Sequence, residues 1–151
     1  MKIKSPHQML FVFVLVLFCS GSLWAHCQVP CGIYDDHMRI HMIEEHIDTI
    51  EKAQSQIQAS SRKKHLDQHQ MIRWIQTKED HSSQIQEIVS QYFLTQRIKR
   101  DMKGYAELLE LSHQLLVAAM KAKQTIDSQA VQDLRKALGR FETLYEQAKK
   151  K

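Results

Sequence analysis

The stretch His26-Cys27-Gln28-Val29-Pro30-Cys31-Gly32-Ile33-Tyr34 holds the densest reactive chemistry in the chain. An imidazole and two thiols fall within six consecutive residues, and Pro30 and Gly32 flank the second thiol, where they favour a sharp turn. If the chain is cut before His26, that residue offers a free amine as well as its ring. The amine titrates near pH ~8 and is a good donor once deprotonated. The amide nitrogen of Cys27 lies between that amine and Cys27 Sγ, so a metal held by both can displace its proton. Two fused five-membered rings in one plane result, and Cys31 can fold back to fill the fourth corner. Two nitrogens and two sulfurs in a plane suit nickel(II) or copper(II), whereas zinc prefers tetrahedral surroundings. The His26 imidazole is left for the axis. Thiolate and amidate donors stabilise a higher oxidation state, which brings a nickel(III)/nickel(II) couple into reach and makes this a site for one-electron cycling. Ordinary thiolates are vulnerable to peroxide, so such a site must also protect its sulfurs.

The cut is what the first 25 residues provide. Lys2 and Lys4 precede an apolar run from Met9 to Phe18, followed by Ser20-Gly21-Ser22 and Leu23-Trp24-Ala25. These are the charged, apolar and cleavage regions of a secretory signal peptide, and the run is short for a bilayer span. Signal peptidase cleavage after Ala25 is expected; cuts after Ser20 or Ser22 are chemically open, and a retained anchor is the competing reading. Lipidation at Cys19 is disfavoured by bulky Phe18 before it. Cys19 leaves with the leader, and the remaining Cys27 and Cys31 would, in most exported proteins, form a disulfide. Losing Lys2 and Lys4 from 21 basic residues leaves 19 against 17 acidic ones. So small an excess gives no case for a nucleic-acid partner.

The 151 residues have room for one ordinary domain. The layout expected is a leader over 1–25 and one domain over 26–151, with the hook at 26–34 and helices over about 36–149. Ile40, Ile43, Ile47, Ile50, Ala53 and Ile57 recur at steps of three and four, which predicts a helix from about Asp36 to Gln58. Asp35 or Asp36 can cap its start. Polar Ser60 to Lys64 turns the chain. A second helix is expected from about Leu66 to Phe93, with Leu66, Ile72, Ile75, Ile85, Ile88, Val89, Tyr92 and Phe93 inward; its centre, Thr77 to Gln84, is almost wholly polar. Leu94 to Lys103, with Arg97, Lys99, Arg100 and Lys103, reads as a solvated basic connection, or alternatively as a patch that steers anions. Leu108, Leu111, Leu115, Ala118 and Ala122 predict a third helix over about Tyr105–Gln124. Val131, Leu134, Leu138, Phe141, Tyr145 and Ala148 predict a fourth over about Gln129–Lys149. Thr125 to Ser128 supplies capping groups, Gly139 weakens the fourth helix slightly, and Lys149 to Lys151 suits its C-terminal dipole. No strand-like alternation follows the leader. The fold class is all-α, an up-down-up-down four-helix bundle behind an irregular N-terminal metal-binding hook.

His-Cys-X-X-Pro-Cys-Gly-X-Tyr at a processed N-terminus resembles the metal hook of nickel superoxide dismutase, matched by His26, Cys27, Pro30, Cys31, Gly32 and Tyr34. Ser90-Gln91-Tyr92-Phe93 is similar to the family's Ser-Asp-Tyr-Phe element, and the length and four-helix pattern agree. The resemblance implies dismutation of two superoxide ions to dioxygen and hydrogen peroxide at one nickel ion cycling between nickel(II) and nickel(III). Its ligands would be the amine and imidazole of His26, the amide nitrogen and sulfur of Cys27, and the sulfur of Cys31. Tyr34 would gate the open axial side, Tyr92 would support it by hydrogen bonding, and Pro30 and Gly32 would shape the loop. A homohexamer with enclosed hooks is implied as well. The familiar type orients the axial imidazole through a Glu on helix one and an Arg on helix two; here His41 and Thr77 occupy the corresponding positions. That type also carries an extension removed inside the cell, whereas the leader here predicts export, giving a periplasmic version with no membrane contact after cleavage.

Two alternatives use the same residues: a periplasmic nickel or copper carrier, and a helical protein with a Cys27–Cys31 disulfide. Among the other histidines, His37/His41 and His65/His69 are spaced by four. Each pair reads as a solvated helix face, with weak accessory metal binding as the alternative, and neither contains a metalloprotease His-Glu-X-X-His element. Met71 and Trp74 are expected in the core or at a subunit contact.

Overall fold

A computed structural model describes residues 35–149. The helix predicted first, α1, spans Asp36–Ser61, and Asp35 rather than Asp36 caps it, its carboxylate accepting from the His37 amide at 3.0 Å. The stripe from Ile40 to Ile57 is buried as its spacing requires. After the polar turn, Asp67 caps α2, Gln68–Glu87, by accepting from the Gln70 amide at 3.1 Å.

The outward turns of α2 correct the expected core. Leu66, Ile72 and Ile75 are 48%, 55% and 41% exposed. The buried line instead runs through half-buried Met71 and Trp74 to buried Lys78, Ser82 and Ile85, one position out of step with the isoleucines. Lys78 explains the choice. Its Nζ donates to the carbonyls of Ala122, at 3.0 Å, and Lys123, and pairs with Glu79 at 3.3 Å. A helix leaves its last carbonyls without partners. The ammonium satisfies two of them and sits at the negative end of a helix dipole. The polar centre of α2 therefore faces the bundle in order to close another helix.

From Ile88 to Arg97 the chain continues as a π-helix, where an ordinary helix to Phe93 and a loop were expected. Thr95 Oγ1 bonds the Ser90 carbonyl at 2.7 Å and Ile98 N the Phe93 carbonyl at 2.8 Å, both five residues apart. In an α-helix Tyr92 and Arg97 would project about 140° apart. The wider i→i+5 winding returns Arg97 towards the side of Tyr92.

Gly104, at φ 74°, turns the chain into α3, Tyr105–Gln124. A side chain there would be strained by the backbone alone. Thr125 and Asp127 supply the expected caps, accepting from the amides of Asp127 and Gln129 at 3.0 Å each, and α4 runs Ser128–Lys149. Each helix packs on its chain neighbours and α4 closes on α1, giving an all-α bundle. Gln54 and Gln58 near the end of α1 reach the carbonyls of Thr125 and Ile126 ahead of α4, so those two helices run antiparallel. Among the described residues there is no strand, and no helix is long and apolar enough to cross a membrane.

Candidate metal centre

The hook residues His26, Cys27, Pro30, Cys31, Gly32 and Tyr34 lie outside the described residues. What is described begins one residue later, with the ground in which the hook is rooted. Asp36, two positions after Tyr34, is the first residue of α1, yet only 3% of it is exposed. Two other segments close over its carboxylate. From the π-helix, Tyr92 OH donates to Oδ1 at 2.6 Å and Arg97 Nη2 to Oδ2 at 2.9 Å. Arg97 Nε lies 2.8 Å from Oδ1 as an ion-pair contact without hydrogen-bond geometry. From α4, Tyr145 OH donates to Oδ2 at 3.0 Å and Lys149 Nζ stands 3.2 Å from the same oxygen.

Burial by itself would raise the Asp36 pKa; the hydrogen bonds from Arg97, Tyr92 and Tyr145 outweigh it and hold the group at about 2. The partners respond in the opposite sense. Burial first, then the Asp36 carboxylate, pushes Tyr92 up to about 12 and raises Tyr145 as well. The hydrogen bond to Asp36 raises Arg97. At neutral pH the cluster is thus one carboxylate, two cations and two intact phenols.

An aromatic floor holds these groups. Phe93 meets Tyr92, Phe141 and Tyr145 edge-on, at centroid distances of 5.2, 4.9 and 5.2 Å. Arg39 lies over the Tyr92 ring at 5.3 Å from its centroid. The Ser-X-Tyr-Phe element thus does two things: Phe93 packs in the core and Tyr92 reaches the carboxylate at the root of the hook.

Against the sequence reading, Arg97 is no part of a solvated loop, although Lys99, Arg100 and Lys103 are exposed. Lys149, expected to serve its own helix end, also neutralises the start of α1. Of the residues at the familiar Glu and Arg positions, His41 is exposed with Nδ1 2.8 Å from Glu44 Oε2, and Thr77 Oγ1 bonds the Arg73 carbonyl of its own helix at 2.9 Å. His65 and His69 do not share a helix face, because the Asp67 cap leaves His65 outside α2. Asp36, Tyr145 and Lys149 were missed as a unit. The doubled Asp35-Asp36 was the one visible signal, since a single cap needs one carboxylate.

A family model described as nickel-containing superoxide dismutase matches residues 22–149, which takes in the hook and all four helices. The chain belongs to that family. The searches of curated proteins and of solved structures gave no match. As a nickel-containing superoxide dismutase, the protein is an oxidoreductase that uses nickel as its cofactor and acts on superoxide. The residue types of the hook fit that metal: the thiols of Cys27 and Cys31 and the nitrogens of His26 would make soft, strongly donating ligands for a d-block ion. Neither the carrier nor the disulfide alternative gains support from the family assignment. Among the described residues no group of three or more His, Cys, Asp or Glu side chains converges as a metal cage.

Proposed function

We propose that this is an exported, periplasmic nickel superoxide dismutase whose leader is removed after Ala25 by signal peptidase. The released His26 amine and imidazole, the Cys27 amide nitrogen, and the sulfurs of Cys27 and Cys31 would hold nickel. Bound there, nickel supplies a one-electron couple between nickel(II) and nickel(III). One superoxide ion gives up its electron and leaves as dioxygen; a second gains an electron and two protons and leaves as hydrogen peroxide.

The residues of the chain do the rest. Pro30 and Gly32 would favour the turn that brings the two sulfurs together. Tyr34 would gate access to the metal, admitting small anions and ordering water. Exposed Lys99, Arg100 and Lys103 make the neighbouring connection attractive to an anion. The family's homohexamer, with hooks enclosed between bundles, would limit solvent access to the thiolates.

The observation that carries this reading is the anchoring of Asp36. A short chain start serves as a ligand set only where its exit is held, and Asp36, two positions after Tyr34, is held by four side chains from two other segments. N-terminal sequencing of the exported protein, with metal analysis, tests the reading: a chain starting at His26 and carrying one nickel is expected. Cys27→Ser and Cys31→Ser should each abolish nickel and activity together. Tyr34→Phe should keep nickel and change saturation or anion inhibition. Active, nickel-loaded protein with Ala25 still joined to His26 would overturn the proposal.

A further inference from the structure

The histidines that the hook does not use divide by geometry. His46 and His81 spend their Nδ1 atoms on each other, 2.9 Å apart in the seam between α1 and α2, and His46 is buried. His65 stands ahead of the α2 cap and shares no helix face with His69. His37 and His41 differ from both pairs.

They lie one turn apart at the start of α1, with side chains 51% and 59% exposed and ring centroids 4.4 Å apart. His41 Nδ1 is 2.8 Å from Glu44 Oε2. A carboxylate accepts and does not donate, so in the neutral ring the proton sits on Nδ1 and Nε2 carries the lone pair. His37 Nδ1 faces Glu142 of α4 at 3.9 Å, within ion-pair range but beyond a hydrogen bond. A carboxylate behind Nδ1 with Nε2 free is how proteins orient a metal-binding imidazole and raise its basicity. Two imidazoles at i and i+4 on a rigid helix, open to water, are arranged as a chelating pair.

We propose that His37 and His41 form a second metal site, separate from the hook, which binds nickel(II) through the two Nε2 atoms with water in the remaining positions. Imidazole suits nickel, copper and zinc alike, so the site discriminates weakly among them. With two protein ligands it holds the ion loosely and exchanges it, unlike the hook. Its position is also specific. His37 follows Cys31 by six positions, at most about 20 Å of extended chain, so any ion on this pair waits close to the hook thiols.

The test uses the untagged full chain carrying Cys27→Ser and Cys31→Ser, so that the hook sulfurs cannot compete. Nickel(II) chloride is titrated while the histidine ring signals are followed by NMR and the affinity by calorimetry. The signals of His37 and His41 should broaden before those of His65, His69 and His113. His41→Gln and Glu44→Gln should each weaken binding by about tenfold or more, the second without removing a ligand, and His65→Gln should change nothing. His37, His41 and His65 are exposed and the Glu44 side chain is 44% exposed, so the bundle should fold with these substitutions. Nickel that leaves the His37 and His41 rings sharp at equimolar metal, or that binds equally well to the His37→Gln/His41→Gln variant, would overturn the proposal. Because the hook sulfurs are absent from the assay, failure here would leave the hook coordination untouched.

Discussion

Replacing Asp36 by Asn tests whether one buried carboxylate holds the start of α1. The isosteric change removes the charge and turns one acceptor into a donor facing Tyr145, Lys149 and Arg97. Arg97 and Lys149 are 30% and 36% exposed and can regain water, but the tyrosines are 3% and 1% exposed and cannot. The loss should therefore fall at about 2–4 kcal/mol, below that of a fully buried pair broken on one side. Linkage gives an independent figure. Folding moves the Asp36 pKa from 3.8 to about 2. At 1.36 kcal/mol per unit this is about 2 kcal/mol of stability. Because the folded value is the depressed one, that stability is fully present above pH ~4 and is lost as the pH falls towards about 2. Urea denaturation followed by helical circular dichroism, at pH 7 and at pH 2.5, measures both. The gap between wild type and Asp36→Asn should be at least 2 kcal/mol at neutral pH and narrow by 1 kcal/mol or more in acid, as orders of magnitude. A gap that is the same at both pH values would refute the electrostatic account of the anchor.

Lys78→Met should cost about 2–3 kcal/mol by leaving two carbonyls at the end of α3 without their charged donor, seen as a lower urea midpoint; a change under ~0.5 kcal/mol would mean that water replaces the ammonium. His46 is held neutral, burial lowering its pKa first and the neighbouring His81 charge next, so wild-type stability should fall as pH drops below ~6.5 towards the lowered folded value. His46→Gln should flatten the stability profile between pH 7 and 5, a window clear of that of Asp36; an unchanged slope would place the effect elsewhere. A Cβ at Gly139 of α4 meets nothing within 4 Å, so Gly139→Ala should add about 0.5–1 kcal/mol and raise Tm by a few degrees, as calorimetry would show.

What the amino-acid order determined by itself was local. The stripes Ile40 to Ile57 and Val131 to Ala148 follow from a period that each segment carries within itself. The proposed donors His26, Cys27 and Cys31 lie within six residues of one another, so the metal preference read from them is local too. Tertiary structure decided which polar side chains go inside. Asp36 takes its donors from residues 56, 61 and 109 positions away, and Lys78 its acceptors from 44 and 45 away. No periodicity encodes such partners. The isoleucine spacing on α2 misled for the same reason: Ile72 and Ile75 satisfied a helical stripe, but the face turned inward was the one whose ammonium could close another helix. The π winding from Ile88 to Arg97 is of this kind too, since its reward, an arginine on the far carboxylate, exists only after α1 and α4 have docked.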